Sequence, residues 1–512
     1  MHANLSGPVV RRDGTRIPCA AMPRLAAAAL VFISSAAVLV LEILAVRLMA
    51  PYVGVTLEVY TAIIGVILGG IALGSWWGGK AADRTDPRNL IGPLIVAGGA
   101  FAFITIPLID ALGAGLRGAG PTTTTILTFV AFFAPAAVLT AVTPAIIKLQ
   151  LEDLDETGRV VGRLSAIGTA GAILGTFVTG FVLVAALPTR PVIRGLALAL
   201  VLLGLGVTIW LRSRRAVSGT TLVLVVLGAA FSFAASHPCE YESAYYCAYV
   251  QADEERTEGY ALWLDTLRHS YVDLNDPSHL EFPYTAWFGD VITAMAPDGQ
   301  PLDSLHIGGA AMTMPRYLRA EHPGSTSTVL ELDELLLDLA TDELGFEPGS
   351  DIEVVIGDAR LSLAEVDSDA HDLVIGDAFG GVAVPWHLAT REFTEDLRRT
   401  MRSDGIYAMN VLDHGPKDFL RAEVATVDAI FAHVAVLGRA DAFEPGGSGG
   451  NHVVIASDAP LPIDAIEQAN RDRRRDDRVL HGGALEEFVD RAQVLTDDYA
   501  PVDQLLTPFP TP

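Results

Sequence analysis

Cysteine is nearly absent from this chain: three in 512 residues leave room for at most one internal disulfide. The twelve histidines are scattered and no His or Cys pair has metal-ligand periodicity, so no metal site is expected. No Ser-His-Asp arrangement can be argued either. Basic residues are scarce beyond position 236. Residues 1–236 hold 17 Lys+Arg and 10 Asp+Glu, leaving 18 and 51 of the chain's 35 and 61 for residues 237–512. The two parts thus carry +7 and −33, and so acidic a second part argues against nucleic acid as a partner. It would attract cations, polyamines among them, or serve as a solubilising surface.

What the chain has in abundance is apolar sequence. A hydrophobic content of 51% and a mean hydropathy of +0.38 are too high for an ordinary soluble enzyme. A span needs about 20 mostly apolar residues to cross about 30 Å of hydrocarbon. Seven candidates lie near 25–48, 58–79, 90–112, 123–147, 164–187, 192–211 and 220–236. The first apolar block is too long for the core of a cleavable signal peptide and lacks a clear cleavage site, so none is expected. Glu42 and Arg47 fall in the first span, where they mark a functional cavity or pair with each other. Pro135 and Pro144 fall in the fourth. Small residues recur in the second span (Gly65, Gly69, Gly70, Gly74, Gly78, Gly79) and the fifth (Gly168, Gly171, Gly175, Gly180), as close helix packing in lipid requires.

Lys and Arg alternate between loops. Arg11, Arg12, Arg16 and Arg24 precede the first span, and Lys80, Arg84 and Arg88 follow the second. Lys148, Arg159 and Arg163 follow the fourth, and Arg212, Arg214 and Arg215 the sixth. The opposite loops hold only Arg117, Arg190 and Arg194 besides Arg47, so the richer set is read as cytoplasmic. Seven spans then carry the acidic part out of the cell, and a miscounted span would reverse that side. Cys19 lies in the tail, while Cys239 and Cys247 bracket CEYESAYYC. That pair forms a local disulfide in an oxidising compartment or remains two thiols.

Beyond 236, apolar runs alternate with helical patterns. LHIGG, STVLELD, IEVVIGDA, HDLVIGDAF and GIYAMNVLD read as strands; TMPRYLRAEH, ELLLDLATDEL, REFTEDLRRTM and DFLRAEVATVDAIFAHV read as helices. VAVLGRAD and NHVVIASD read as a closing strand pair. Such alternation predicts a mostly parallel sheet covered on both faces, with ligand beyond the carboxyl ends of the first strands. Gly308 and Gly309 let backbone approach a ligand at a strand-to-helix turn. Glu331 lies 22 positions after Gly309, near the spacing of about 20 expected for an acid on ribose hydroxyls. Asp358 is placed to accept from an adenine amino group and Asp377 to face the reacting centre. The competing reading is that these acids only cap the helices that follow.

LHIGGAAMTMPRYL, VLELD, IGDAR and HDLVIGDAF, in this order and spacing, resemble the spermidine synthase (polyamine aminopropyltransferase) family, whose fold is that of class I methyltransferases. The resemblance is closest to membrane-fused bacterial members and extends to LVLEILAVRLMAPYVG and LTDDYAPVDQLL. LWLDTLRHSYVDLNDPSHLEFPYTAWF resembles the family's N-terminal hairpins, with His269 where a Gln is usual and Tyr284 matching the cleft Tyr.

The fold expected is therefore an α-helical multi-span membrane region followed by an α/β Rossmann-like class I methyltransferase-type domain. Its divisions are a tail (1–24), a membrane region (25–236), a linker and small β-rich subdomain (237–300), a nucleoside-binding domain (301–460) and a C-terminal helical segment (461–512). The resemblance implies aminopropyl transfer from decarboxylated S-adenosylmethionine to a polyamine such as putrescine, with no tightly bound cofactor. By match, Glu331 would hold the ribose, Asp358 and Ala359 the adenine, and Asp377 would be the base, with His269 and Tyr284 at the substrate. Two departures matter. The family's GGGDG is GGAAM, so Ala311 replaces the acid that binds the donor's ammonium, and AFGGVAVP after Asp377 lacks the family's second acid.

Losing two carboxylates should weaken recognition of a polycation. Either Asp413 or Glu281 substitutes, or the substrate has changed. Two alternatives stand beside the first reading: an S-adenosylmethionine-dependent methyltransferase-like enzyme, and a non-catalytic extracytoplasmic nucleoside- or polyamine-binding or transport-coupled protein. The partners expected are lipid membrane, a small nucleoside and a polyamine, with a homodimer left open.

Overall fold

The computed structural model describes residues 22–116, 121–151, 154–211, 217–444 and 446–507. Cys19, Arg11, Arg12, Arg16, Arg117, Arg212, Arg214 and Arg215 lie outside the described residues. The chain divides into two compact units. One comprises the residues up to Met49 with Glu58–Ser236, the other Ala50–Leu57 with His237–Pro512.

The first unit is helical: α1 (Arg24–Val53), α2 (Leu57–Arg84), α3 (Arg88–Gly113), α4 (Pro121–Thr140), α5 (Val142–Gln150), α6 (Thr157–Val178), α7 (Val184–Ala186), α8 (Thr189–Trp210) and α9 (Gly219–Ala234). Among the described residues, six stretches are long and apolar enough to cross a membrane, with α4 and α5 counting as one and α6 and α7 as another. The seventh, α9, has 16 residues. At about 1.5 Å per residue it is shorter than the hydrocarbon core. The break between α4 and α5 has a local cause: Pro144 has no N–H to donate, and its ring crowds the carbonyl of Thr140.

Gly74 and Gly78 sit where a Cβ would lie 2.1 and 2.6 Å from the carbonyl oxygens of Ala137 and Ala141, and Gly171 where it would lie 2.3 Å from that of Phe32. These glycines let helix backbones touch. Gly65 and Gly180 instead face open space. Glu42 is half-buried on α1. A buried ion pair, Arg190 with Asp110 at 2.5 Å, ties the start of α8 to α3.

The second unit opens with an antiparallel meander, β1 (Tyr241–Glu242), β2 (Cys247–Ala252), β3 (Gly259–Leu264) and β4 (Leu267–Asp273). Cys239 and Cys247 form a disulfide across the β1–β2 turn, their Cα atoms 5.0 Å apart. After α10 (Pro283–Met295) come β5 (Asp303–Ile307), α11 (Thr313–Glu321), β6 (Thr326–Glu331), α12 (Glu334–Asp342), β7 (Ile352–Ile356), α13 (Ala359–Ser362), β8 (His371–Gly376), α14 (Arg391–Thr400) and β9 (Met401–Asp413). The chain closes with α15 (Asp418–Asp428), β10 (His433–Gly438), β11 (Gly450–Ser457), α16 (Ile463–Asp472), β12 (Arg478–His481), α17 (Gly483–Val489) and α18 (Val502–Leu505).

The large sheet runs β12-β10-β11-β9-β8-β5-β6-β7, parallel from β9 to β7 and antiparallel at the other edge. Successive strand residues face opposite layers. Leu305, Val374, Tyr407 and Val454 pack on one side, and Ile375, Ala408 and Ile455 join Trp287, Phe288 and Tyr317 on the other. This is the Rossmann-like, methyltransferase-type fold expected. Its switch point lies between β5, which continues to β6, and β8, which returns to the opposite side of β5.

Two elements differ from the sequence reading. The helix expected to run through DFLRAEVATVDAIFAHV stops at Asp428, because His433–Gly438 pairs on both sides with β11 and β12. Tertiary pairing outweighs helical periodicity there. The segment 461–512, expected to be helical, supplies the edge strand β12.

Candidate functional site

At the switch point, Gly308 and Gly309 follow β5 and Asp377 follows β8. Gly308 has φ +91°, and a Cβ there would lie 2.5 Å from the Asp377 carbonyl oxygen, so only glycine fits. These strand ends form the floor of a narrow pocket whose empty space is about 470 Å³ with open solvent included. His269 and Ser270 of β4, Tyr284 and Thr285 of α10 and Thr313 at the start of α11 line it further. The structure thus brings together Gly308, Gly309, Asp377, His269 and Tyr284 of the residues singled out by sequence.

Among the described residues, Asp377 is the only carboxylate in that lining. It accepts from Asn410 Nδ2 at 2.8 Å and from the Tyr284 hydroxyl. Burial pushes its pKa up to about 6, although both hydrogen bonds pull it down. A carboxylate poised there can take a proton near neutrality. Tyr284 is held protonated by burial and by the charge of Asp377. Desolvation lowers His269 to about 4 and His306 to about 3, so the other two titratable groups of the lining are neutral. His269 lies edge-on between Tyr246 and Phe379, each 6.4 Å away.

Asn410 was missed by sequence reasoning. It lies in the middle of β9, 2% exposed, and also accepts from Asn451 Nδ2 at 3.0 Å. Its signal is a lone amide inside an otherwise apolar central strand, a position that demands a partner.

Glu331, Asp358 and Ala359 do not line this pocket; they occupy the carboxyl ends of β6 and β7. One oxygen of Glu331 accepts from the backbone N–H groups of Gly309 and Ala310 at 2.8 and 3.0 Å, and the other from Asp333 at 3.0 Å. The glycine turn is therefore held shut onto β6 by this acid. Asp358 caps α13, accepting from Arg360 and Leu361 at 2.9 and 3.3 Å, and its second oxygen lies 3.1 Å from His387 Nε2. Ala359 packs in the core.

Ala311 is fully buried, in an apolar cluster with Leu262, Leu264 and Leu336. Neither proposed substitute acid reaches the pocket. Asp413 is buried and accepts from the N–H groups of His414, Leu420 and Thr507. Glu281 pairs with Arg268 at 3.2 Å and His279 at 3.1 Å.

The polyamine aminopropyltransferase of Vibrio vulnificus (strain CMCP6) is 24% identical to this chain over 249 residues, spanning 46% of this chain and 79% of that protein. The C-terminal unit is thus similar to the spermidine synthase family. A probable polyamine aminopropyl transferase of Bifidobacterium longum (strain NCC 2705) is 26% identical over 132 residues, 25% of this chain and 29% of that protein. Among solved structures, a probable spermidine synthase from Corynebacterium glutamicum ATCC 13032 is 26% identical, covering 51% of this chain and 97% of its own, with a TM-score of 0.47. No protein-family model matches the chain. Of the positions that carry the resemblance, Asp377 after β8 lines the pocket and Ala311 in the glycine turn is a core alanine.

Proposed function

We propose that this protein is a membrane-bound aminopropyltransferase-like enzyme, moving an aminopropyl group from decarboxylated S-adenosylmethionine to an amine with Asp377 as the base. The amine attacks the methylene beside the sulfonium, a C–N bond forms, and the C–S electron pair stays on sulfur as a thioether. The proton lost from nitrogen passes to Asp377. Glu331 fixes the turn that faces the nucleoside, and the Tyr284 and Asn410 donors hold the carboxylate in place. The observation that carries this reading is a desolvated carboxylate, raised to about 6, at the switch point of the sheet.

With Asp377 as the lone carboxylate of the pocket, a second ammonium has no anionic partner there, so a monoamine suits the site better than putrescine. Isotope-traced turnover with purified protein, decarboxylated S-adenosylmethionine and either amine tests both points. Aminopropylated product that disappears in Asp377→Asn is expected, and product undiminished in that variant would remove the assigned base.

Side of membrane bears on the donor supply. The cysteine pair favours an extracytoplasmic location, as does a count that takes the 16-residue α9 as a seventh crossing after the six longer stretches. On that side the donor has to be delivered across the membrane. The same pair favours the second reading, a nucleoside- or amine-binding unit without turnover. Reporter fusions near residue 260, read with the alkylation of Cys239 and Cys247 before and after reduction, separate the two.

A further inference from the structure

A second pocket, sharing no lining residue with the first, opens at the same edge of the sheet beyond β9. It encloses about 960 Å³, part of it open to solvent, between the start of α15, the turn before β11, β12 and α17. Three cations line it: Lys417, Arg421 and Arg478.

Lys417 is the N-cap of α15, with φ 58°, and is only 3% exposed. Its ammonium meets only the carbonyls of Gly415 and Gly447, at long distances of 3.5 and 3.4 Å. Arg421 follows one turn later on the same face, its guanidinium 5.0 Å over the Phe488 ring and its Nε buried without a partner. Arg478 begins β12 opposite Gly438, whose Cβ position is 2.9 Å from Phe443, and Phe443 meets Phe488 edge to face at 5.6 Å.

Among the described residues, no carboxylate lies within 4.0 Å of any of the three cations. The acids nearest in charge to Lys417 are engaged elsewhere: Asp413 with three backbone N–H groups, and Asp441 with Ser448. Glu444 and Glu487 also line the pocket, so the lining carries one net positive charge. Residues 237–512 hold 51 acids against 18 bases, so a base there readily finds an acid. Of these three bases around one cavity, Lys417 is buried and bears a desolvation cost that an incoming anion would offset, while Arg421 is half-buried and Arg478 exposed, within reach of a ligand arriving from solvent.

We propose that this pocket binds a small organic oxyanion, its phosphate or carboxylate charge held by Lys417, Arg421 and Arg478 and its apolar part lying on Phe443 and Phe488. Arginine forks can donate two parallel hydrogen bonds to a pair of oxygens of either anion, and the aromatic pair gives an organic ligand more contact than an inorganic ion. The site would act apart from the transfer reaction, as a sensor or as the seat of an anionic tail of a larger substrate.

The test is calorimetric titration of the full-length protein in detergent with phenyl phosphate, inorganic phosphate and succinate at up to about 10 mM. Saturable binding of phenyl phosphate, weakened at least about tenfold in the Arg421→Gln, Arg478→Gln double variant, is expected. Lys417→Met should also lose binding while melting no lower than the parent without ligand, because it removes a buried unpaired ammonium. A single cooperative thermal melt close to that of the parent serves as the folding control for every variant. Phosphate bound as tightly as phenyl phosphate would remove the aromatic subsite from the proposal. No binding of any probe, or binding undiminished in the double variant, would overturn the site.

Discussion

The acids at the ends of β6 and β7 and the acid at the end of β8 share a residue class and a place at the sheet edge, yet their surroundings set them to different work. Glu331 and Asp358 spend their oxygens mainly on backbone N–H groups, which fixes the glycine turn and the start of α13. Asp377 is held by two neutral side chains and desolvated, so its charge is costly and its proton is exchangeable near neutrality. An acid saturated by backbone donors is a structural clamp, whereas one held by side chains in a pocket can do chemistry.

The largest expected effect comes from removing the titrating acid. Asp377→Asn should lower kcat by about 10²–10⁴-fold, with nucleoside affinity nearly unchanged. Rapid-quench turnover and equilibrium dialysis measure the two, and full turnover would erase the distinction between the acids. Next comes an acid placed where the family has one. Ala311 has no exposed surface and sits among leucines, so Ala311→Asp should cost about 3 kcal/mol in urea unfolding and give no gain in diamine binding. Improved putrescine binding in that variant would show that the amine half of the site is intact apart from one side chain.

Glu331→Gln turns an amide N–H₂ toward backbone N–H groups and should cost about 1–3 kcal/mol in the same assay, since at least one donor loses its acceptor. The smallest effect sharpens the comparison most. Because the ionised form of Asp377 is the base, log kcat/KM should rise with pH through about 6. Asn410→Ala removes a donor that favours the ionised form, so the rising limb should move to higher pH. An unmoved limb would assign the titration to another group. The folded pKa of Asp377 lies above its ordinary 3.8, so its contribution to stability is complete below that value and falls as pH rises toward about 6. Asp377→Asn should flatten that part of the stability profile.

Much of the architecture was legible because its signals are local. LHIGG, VLELD and HDLVIGDAF carry their strand ends and turn glycines in consecutive residues, and the parallel order followed from the alternation of strands with helices. Six of the seven expected spans were legible from length and composition, the last being a shorter helix, and Cys239 and Cys247 are near enough in sequence to pair through one short turn. Partners distant in sequence were not legible. Asp358 reads the same whether it faces adenine or caps α13, and only the course of the chain after β7 makes it a cap. Asp413 looked available for an amine until the C-terminal segment brought the N–H of Thr507 onto it.

The sequence by itself determined the order of the elements, the acidity of residues 237–512, the apolar helices and the glycine turn, because periodicity, charge and backbone freedom are properties of neighbours along the chain. The tertiary structure decided which acid titrates and which bases stay unpaired, because desolvation and pairing depend on what folds against a side chain. Asn410 reaches Asp377 across 33 positions, and the pocket of Lys417, Arg421 and Arg478 exists only where β12 joins the sheet beside α15.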